Sequence, residues 1–152
     1  SVFLFGLTFA EEQPATAGII PSAPELLIGD ASDIDIYTGV LTGPFSFGSG
    51  DVTFADSATG DGVGVFNDLG FVAVPHGYVS GSALSDSMVF DNATFSSLGL
   101  TPGTYTWTWG TPGAGADSFI LNVGAPDAPE PASLALLGAG LAGLGAIRRR
   151  RR

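Results

Sequence analysis

Few side chains in this sequence are suited to acid–base, nucleophilic or metal chemistry. There is one histidine, His76, and no cysteine. A Ser–His–Asp arrangement would have to use His76, and the many serines and aspartates give no means of choosing its partners. A zinc site of the usual kind needs several His or Cys ligands, which this composition does not supply. We predict that His76 is an exposed turn residue, and that the protein is not an enzyme and has no cofactor.

Aspartate side chains offer the hard oxygen ligands that calcium prefers. Asp30, Asp33 and Asp35 lie close together in the sequence, and Asp56 and Asp61 lie around a Gly-rich turn. Neither group has the ligand spacing of an EF-hand loop. Solvated turn aspartates are the competing interpretation. We therefore predict no metal site and keep Asp30, Asp33 and Asp35 as the calcium candidates.

Three aromatic residues alternate with threonines in the segment TYTWTW. If this segment is a strand, Tyr105, Trp107 and Trp109 lie on one face and the threonines on the other. Aromatic rings in such a row can stack on sugar rings and bind a carbohydrate. They can equally fill a hydrophobic core, where large aromatic side chains dominate the buried area. Both interpretations stay open at this point.

The elements that would position these residues are predicted to be β-strands. The sequence has 23 glycines and 10 prolines, and many short apolar runs are broken by turn residues. We predict an all-β domain over residues 18–124, a β-sandwich or jelly-roll-like fold. The expected strands are 33–41, 45–47, 52–54, 63–66, 71–74, 78–84, 88–90, 104–109 and 118–123.

Charge is distributed very unevenly along the chain. The five basic residues are consecutive, and the rest of the chain carries all 15 acidic residues. They are Arg148, Arg149, Arg150, Arg151 and Arg152. A body without Lys or Arg cannot neutralise phosphates, so nucleic acid is excluded as a partner.

An uncharged apolar stretch, residues 132–147, directly precedes the arginines. As a helix it would span about 24 Å, which is shorter than the hydrocarbon core of a bilayer. Arginine side chains can extend to the membrane interface and lengthen the effective span, and they keep that end in the cytoplasm. We predict one short C-terminal transmembrane helix over 132–147, a basic cytoplasmic tail over 148–152 and a linker over 125–131.

The N-terminal residues allow two interpretations. Residues 2–10 are apolar, and Ala15 and Ala17 have the A-x-A spacing that follows the apolar core of a secretory signal. We predict that residues 1–17 are a truncated signal peptide, cleaved after Ala17 or, as the competing site, after Ala10. The alternative is that this segment forms the first strand of the domain.

Pro129, Glu130 and Pro131 stand just before the apolar stretch, and residues 129–152 read PEPASLALLGAGLAGLGAIRRRRR. This order of motif, short apolar helix and basic cluster resembles the PEP-CTERM sorting signal of Gram-negative bacteria. The resemblance implies that exosortase, an integral-membrane cysteine transpeptidase-like enzyme, recognises Pro129, Glu130 and Pro131 and processes the tail. It also implies anchoring in the inner membrane before processing, then a location at the cell surface or in the extracellular matrix.

The sequence thus predicts an exported surface or matrix protein with a non-catalytic structural or interaction role. Residues 78–124 resemble a segment found in other PEP-CTERM proteins, which implies an extracellular β domain but does not assign an activity to it. A carbohydrate-binding module for exopolysaccharide, using Tyr105, Trp107 and Trp109, is the main alternative. An exported hydrolase is a third, and it would need a pocket that gathers His76 or two carboxylates.

Overall fold

The computed structural model describes residues 1–30, 33–111 and 115–124. Within these residues the chain forms eleven β-strands and no helix, which confirms the all-β class. The strands are β1 Thr8–Pro14, β2 Gly18–Ile20, β3 Glu25–Ile28, β4 Asp33–Thr38, β5 Thr53–Phe54, β6 Ser57–Gly60, β7 Val63–Phe66, β8 Phe71–Pro75, β9 Asp86–Val89, β10 Gly103–Thr111 and β11 Gly115–Val123.

Seven of these strands form one open antiparallel sheet in the order β1-β4-β8-β7-β3-β2-β5. The strands β10 and β11 pair with each other, as do β6 and β9. Edge strand β1 carries Glu11, Glu12 and Pro14 and has a register shift between Phe9 and Glu11. Charges, a proline and a bulge all hinder pairing with another chain, so this edge is protected against aggregation.

Both faces of the large sheet are apolar. Adjacent residues of a strand point to opposite faces. Leu26 and Val72 belong to clusters on one face, whereas their neighbours Leu27 and Ala73 belong to a cluster on the other. Short uninterrupted apolar runs are typical of strands buried on both sides. We call the face that carries Leu26 and Val72 the covered face, and the face that carries Leu27 and Ala73 the concave face.

The connection between β1 and β2 shows that the sheet is strongly curled. Four other strands separate β1 from β2. In a flat sheet the two would therefore lie about 24 Å apart, at about 4.8 Å per strand. The chain from Pro14 to Gly18 can reach only about 14 Å. The sheet must bend to bring β1 and β2 together, and Ala15 of the connection packs against Leu27, Ile34, Ile36 and Ala73 on the concave face.

The covered face is closed by the ribbon of β10 and β11. Trp109 packs with Val63, Val72 and Val74, and Trp107 packs in the adjoining cluster with Leu26. Thr108 of β10 also exchanges two backbone hydrogen bonds of 2.8 Å with Thr42, which follows β4. The result is a two-layer arrangement that is consistent with the predicted β-sandwich.

Most predicted strands correspond to observed ones, and the differences are local. Residues 45–47 and 78–84 contain no regular strand, and the strands β1, β2, β3 and β6 were not predicted. Prolines 21 and 24 lie between the short strands β2 and β3. Because proline argues against a strand in its surroundings, the sequence does not predict these two strands, which pair in the tertiary structure. The predicted C-terminal helix over 132–147 lies outside the described residues. Among the residues that are described, none belongs to a helix with the length and apolar character needed to cross a membrane.

Residues 1–17, which we predicted as a signal peptide, are packed within the β domain. Val2 is 5% exposed, and its backbone N–H and carbonyl both bond to the Tyr78 hydroxyl, at 2.8 and 3.0 Å. The Trp109 indole N–H donates to the carbonyl of Phe3 at 2.9 Å. This arrangement matches the first-strand alternative. Cleavage after Ala17 or Ala10 stays a prediction.

The described residues include no Lys or Arg, so within them no carboxylate can pair with either. Glu25 at the start of β3 illustrates the consequence. Burial raises the pKa of the Glu25 carboxyl above 4.5, and the neighbouring Asp68 carboxylate raises this pKa further by charge repulsion and hydrogen bonding. Ionisation of Glu25 is therefore unfavourable to the folded state.

Ile36 tests the concave-face cluster. Ile36 is 1% exposed, and Ile36→Ala should lower the free energy of unfolding by about 2–5 kcal/mol, because it leaves a cavity in the core. Val40 is 84% exposed, so Val40→Ala should change this free energy by less than about 0.5 kcal/mol. Urea unfolding of the full chain in detergent micelles, followed by tryptophan fluorescence, measures both. Equal effects of the two variants would contradict the placement of Ile36.

Glu25→Gln tests whether the raised pKa of Glu25 makes the stability of the fold depend on pH. The folded-state pKa of Glu25 is raised, so the wild-type fold should gain stability as the pH falls through that pKa towards 4.5. Glu25→Gln should reduce this gain, because glutamine does not titrate. Melting temperatures across this pH range provide the measurement, with Glu11→Gln as a control that makes the same charge change on exposed strand β1. An unchanged pH profile in Glu25→Gln would contradict the assignment.

Candidate functional site

The predicted row of aromatic residues lies on β10, and its two tryptophans face the core. Trp107 is 1% exposed and Trp109 is 2% exposed, whereas Tyr105 is partly buried. Trp107 packs edge-on against Phe47, with ring centroids 6.1 Å apart. A sugar ring has no access to either indole face, so the structure favours the core interpretation over a carbohydrate platform of all three rings.

The polar atoms of both indoles are also engaged inside the protein. Trp107 Nε1 donates to the carbonyl of Pro44 at 3.0 Å, and Trp109 Nε1 donates to that of Phe3. Gly43 lies so close to the Trp107 ring that an added Cβ would collide with it. Glycine at 43 therefore allows the backbone to approach the Trp107 indole, and the Pro44 carbonyl accepts the hydrogen bond of the indole N–H.

His76 lies in a tight turn that directly follows β8. Tyr78 N–H donates to the Pro75 carbonyl at 3.0 Å, and Gly77 has a φ of 72°. A positive φ at the third position is what a type II turn requires, and glycine adopts it without strain. The His76 side chain is 58% exposed. The prediction of an exposed turn histidine is consistent with this geometry.

The turn brings His76 against two carboxylates from other strands. Its Nδ1 lies 2.9 Å from Asp35 Oδ1 on β4 and 3.4 Å from Glu12 Oε2 on β1. Asp35 Oδ2 accepts a further hydrogen bond of 3.0 Å from the Gly77 backbone N–H. Glu12 and Asp35 are directly opposite each other in the β1–β4 register. We call Glu12, Asp35 and His76 the His76 cluster.

The electrostatics of the His76 cluster favour a positive charge at its centre. The hydrogen bond to Asp35 raises the pKa of the His76 imidazole above 6.5, and the negative charges of Glu12, Asp35 and Asp33 raise it further, whereas desolvation opposes the shift. The Asp35 side chain is only 9% exposed. A carboxylate this buried needs a partner that compensates its lost hydration. His76 supplies that partner.

The predicted calcium candidates do not come together as a group. Asp35 turns towards His76 and Glu12, whereas Asp30 and Asp33 are exposed and lie outside the three-ligand group identified among the described residues. Asp56 and Asp61 bond instead to backbone N–H groups, those of Asp91 and Ser85. These aspartates act as turn and strand-end acceptors in the described part of the chain.

A cleft of about 290 Å³ opens beside the concave face, between the β1–β2 connection and strands β3 and β5. Its lining is mainly apolar and includes Ala15, Ile19, Leu27 and Phe54. The cleft does not include His76. A molecule bound in this cleft would therefore not contact His76 as an acid or a base.

Sequence reasoning did not identify the His76 cluster, because its members are far apart in the chain. One signal was available. His76 is the only histidine, and Asp35 is a charged residue within the apolar run IDIY of β4. A carboxylate inside a buried strand requires a partner, and only histidine was left to provide a positive one before residue 148.

The pKa of His76 can be read directly, since a single histidine gives a single imidazole signal. NMR titration of the full chain in micelles, with a chelator present, should give a pKa above 6.5. Asp35→Asn should lower this pKa, whereas Asp51→Asn, which changes a remote exposed carboxylate, should not. The raised pKa means that the His76–carboxylate contacts stabilise the fold fully below pH 6.5 and lose their effect as the pH rises through the folded-state value. A wild-type pKa at or below 6.5 would contradict the geometry.

The predicted sorting residues Pro129, Glu130 and Pro131, and the arginines 148–152, lie outside the described residues. Their assignment rests on comparison of the sequence. Residues 127–152 match the family model of the PEP-CTERM protein-sorting motif. This match confirms the resemblance seen in the sequence. Comparison of the chain with curated proteins and with solved structures gives no significant match.

A PEP-CTERM motif is the signal carried by exosortase substrates. It implies export, membrane anchoring before processing, and sorting to the cell surface or matrix. The β domain and the motif thus occupy separate parts of the chain, with the motif beginning three residues after Gly124, the last described residue. Residues 127–152 of this chain therefore carry a PEP-CTERM protein-sorting motif.

Proposed function

We propose that this protein is an exosortase substrate that delivers a non-catalytic β domain to the cell surface or biofilm matrix of a Gram-negative bacterium. The observation that carries the proposal is the sorting-motif match over residues 127–152. The β domain is the cargo, and its role is structural or one of interaction.

The chemistry of the tail is suited to this route. Prolines 129 and 131 disfavour a regular helix or strand around Glu130, so this segment can be held in an extended form by a processing enzyme. The apolar residues 132–147 would enter the membrane, and the arginines 148–152 would keep the C-terminal end in the cytoplasm. Glu130 then lies near the outer face, next to the exported domain.

The properties of the β domain support a passive role outside the cell. It contains no cysteine, so its stability comes from the two-layer core and not from disulfides. Its side chains carry negative charges and no Lys or Arg, which favours solubility and disfavours binding to anionic surfaces. Exopolysaccharide remains a proposed partner of the matrix, without an assigned contact surface.

Replacing Pro129, Glu130 and Pro131 by alanine tests the sorting step. In a host with an active exosortase, the wild-type chain should be shortened and recovered outside the inner membrane. The triple variant should keep its full mass and stay in the inner membrane, because the enzyme no longer recognises it. Membrane fractionation and intact-mass spectrometry measure both properties.

Pro126→Ala provides the matched control, since it removes a proline just outside the matched residues 127–152. It should be processed like the wild type. In a host without exosortase, all three proteins should remain unprocessed. Equal processing of the wild type and the triple variant, or processing without exosortase, would overturn the proposal.

A further inference from the structure

We propose that Glu12, Asp35 and His76 bind a first-row divalent metal ion of the Zn²⁺ type at the β1 edge of the large sheet. The site is separate from the sorting motif and concerns the β domain alone. Its three ligand atoms, Nδ1 of His76 and one oxygen each of Glu12 and Asp35, all lie within 4.8 Å of one another.

The spacing of these atoms is close to that of a metal coordination sphere. Nδ1 is 2.9 Å from Asp35 Oδ1 and 3.4 Å from Glu12 Oε2. Adjacent ligands of a tetrahedral zinc ion, with bonds of about 2.0–2.1 Å, are about 3.3 Å apart. The cluster therefore needs only small side-chain movements to place one ion between the three atoms.

The charges of the cluster also favour a cation. Glu12 and Asp35 are direct cross-strand neighbours, and like charges in this position repel each other. A divalent ion bound by both carboxylates and by Nδ1 would neutralise this repulsion, and any proton on Nδ1 would be released to the solvent as the ion binds.

Asp35 is oriented for this role before any ion arrives. Its side chain is nine-tenths buried, and the Gly77 N–H holds Oδ2 while Oδ1 points to His76. A backbone donor that fixes one oxygen of a carboxylate ligand is the usual outer-shell support of a metal site. The Pro75–Tyr78 turn thus positions a ligand, His76, and the support for a second, Asp35.

The ligand set and its exposure indicate the class of ion. One imidazole with two carboxylates suits zinc and similar transition metals better than calcium or magnesium, which prefer oxygen ligands only. His76 and Glu12 are 58% and 44% exposed, so water can fill the remaining coordination positions. The site differs from the usual zinc sites rich in His and Cys, which the composition excludes.

The site needs Glu12, and so it requires that strand β1 stays on the chain as the structure has it. Intact-mass spectrometry of the purified protein should therefore show residues 1–17 present. Removal of the segment after Ala17 in the exported protein would take away one of the three ligands and overturn the proposal.

Isothermal titration calorimetry of the full chain in micelles at pH 7.5, with Zn²⁺ as the titrant, tests the site. We expect saturable binding of one ion per chain and a Zn²⁺-dependent rise in melting temperature. His76→Gln and Glu12→Gln should each weaken Zn²⁺ binding by roughly tenfold or more, because a lost ligand costs at least as much as a lost outer-shell partner. Both side chains are exposed, and Asp35 keeps its hydrogen bond from the Gly77 N–H in either variant, so these variants should still fold, which far-UV circular dichroism verifies.

Glu11→Gln is the matched control, because it removes the same charge from the neighbouring residue of β1, which lies outside the cluster. It should bind Zn²⁺ like the wild type. No saturable binding, an equal loss in Glu11→Gln and Glu12→Gln, or an equal rise in melting temperature with Ca²⁺ would each overturn the proposal. The last two outcomes would show general screening of an acidic surface. Binding is measured without exosortase, so its result is independent of the sorting experiment.

Discussion

The large sheet is apolar on both faces, and both faces must be removed from water for the domain to fold. Each face is buried in a different way. The concave face is closed by the curl of the sheet itself, which the short β1–β2 connection enforces. The covered face is closed by the β10–β11 ribbon, whose two tryptophans fill the space above the valines of β7 and β8. The aromatic row that could have bound sugar is needed to complete the core.

A second constraint comes from charge. The domain has carboxylates on five of its eleven described strands and contains no Lys or Arg. Exposed carboxylates are hydrated by water, but Asp35 is buried, and its lost hydration is compensated by hydrogen bonds with His76 and with the Gly77 N–H. Burial raises the pKa values of the Glu25 and Asp86 carboxyls, and a neighbouring carboxylate, Asp68 or Asp61 respectively, raises each of them further. Protonation of the carboxylates and binding of cations from solution therefore favour the folded state of an acidic domain of this kind.

The fold class could be predicted because its signals are local. Alternation in TYTWTW, the short apolar runs of β7 and β8 and the turn residues between them depend only on neighbours in sequence. Strands β2 and β3 were missed because prolines interrupt their surroundings and because pairing, not propensity, makes them strands. Residues 1–17 show the same limit, since an apolar start followed by A-x-A fits a secretory signal as well as a strand that packs on the domain.

The sequence by itself determined the sorting signal, because Pro129, Glu130 and Pro131, the apolar stretch and the arginines act through their order along the chain. It also determined that His76 lies in a turn, through the Pro-His-Gly order. Only the tertiary structure decided which way Trp107 faces, and that Glu12, Asp35 and His76 meet. Residues 12, 35 and 76 come together through the pairing of β1 with β4 and of β4 with β8. Pairing between distant strands is set by burial of the whole sheet, which no local pattern encodes.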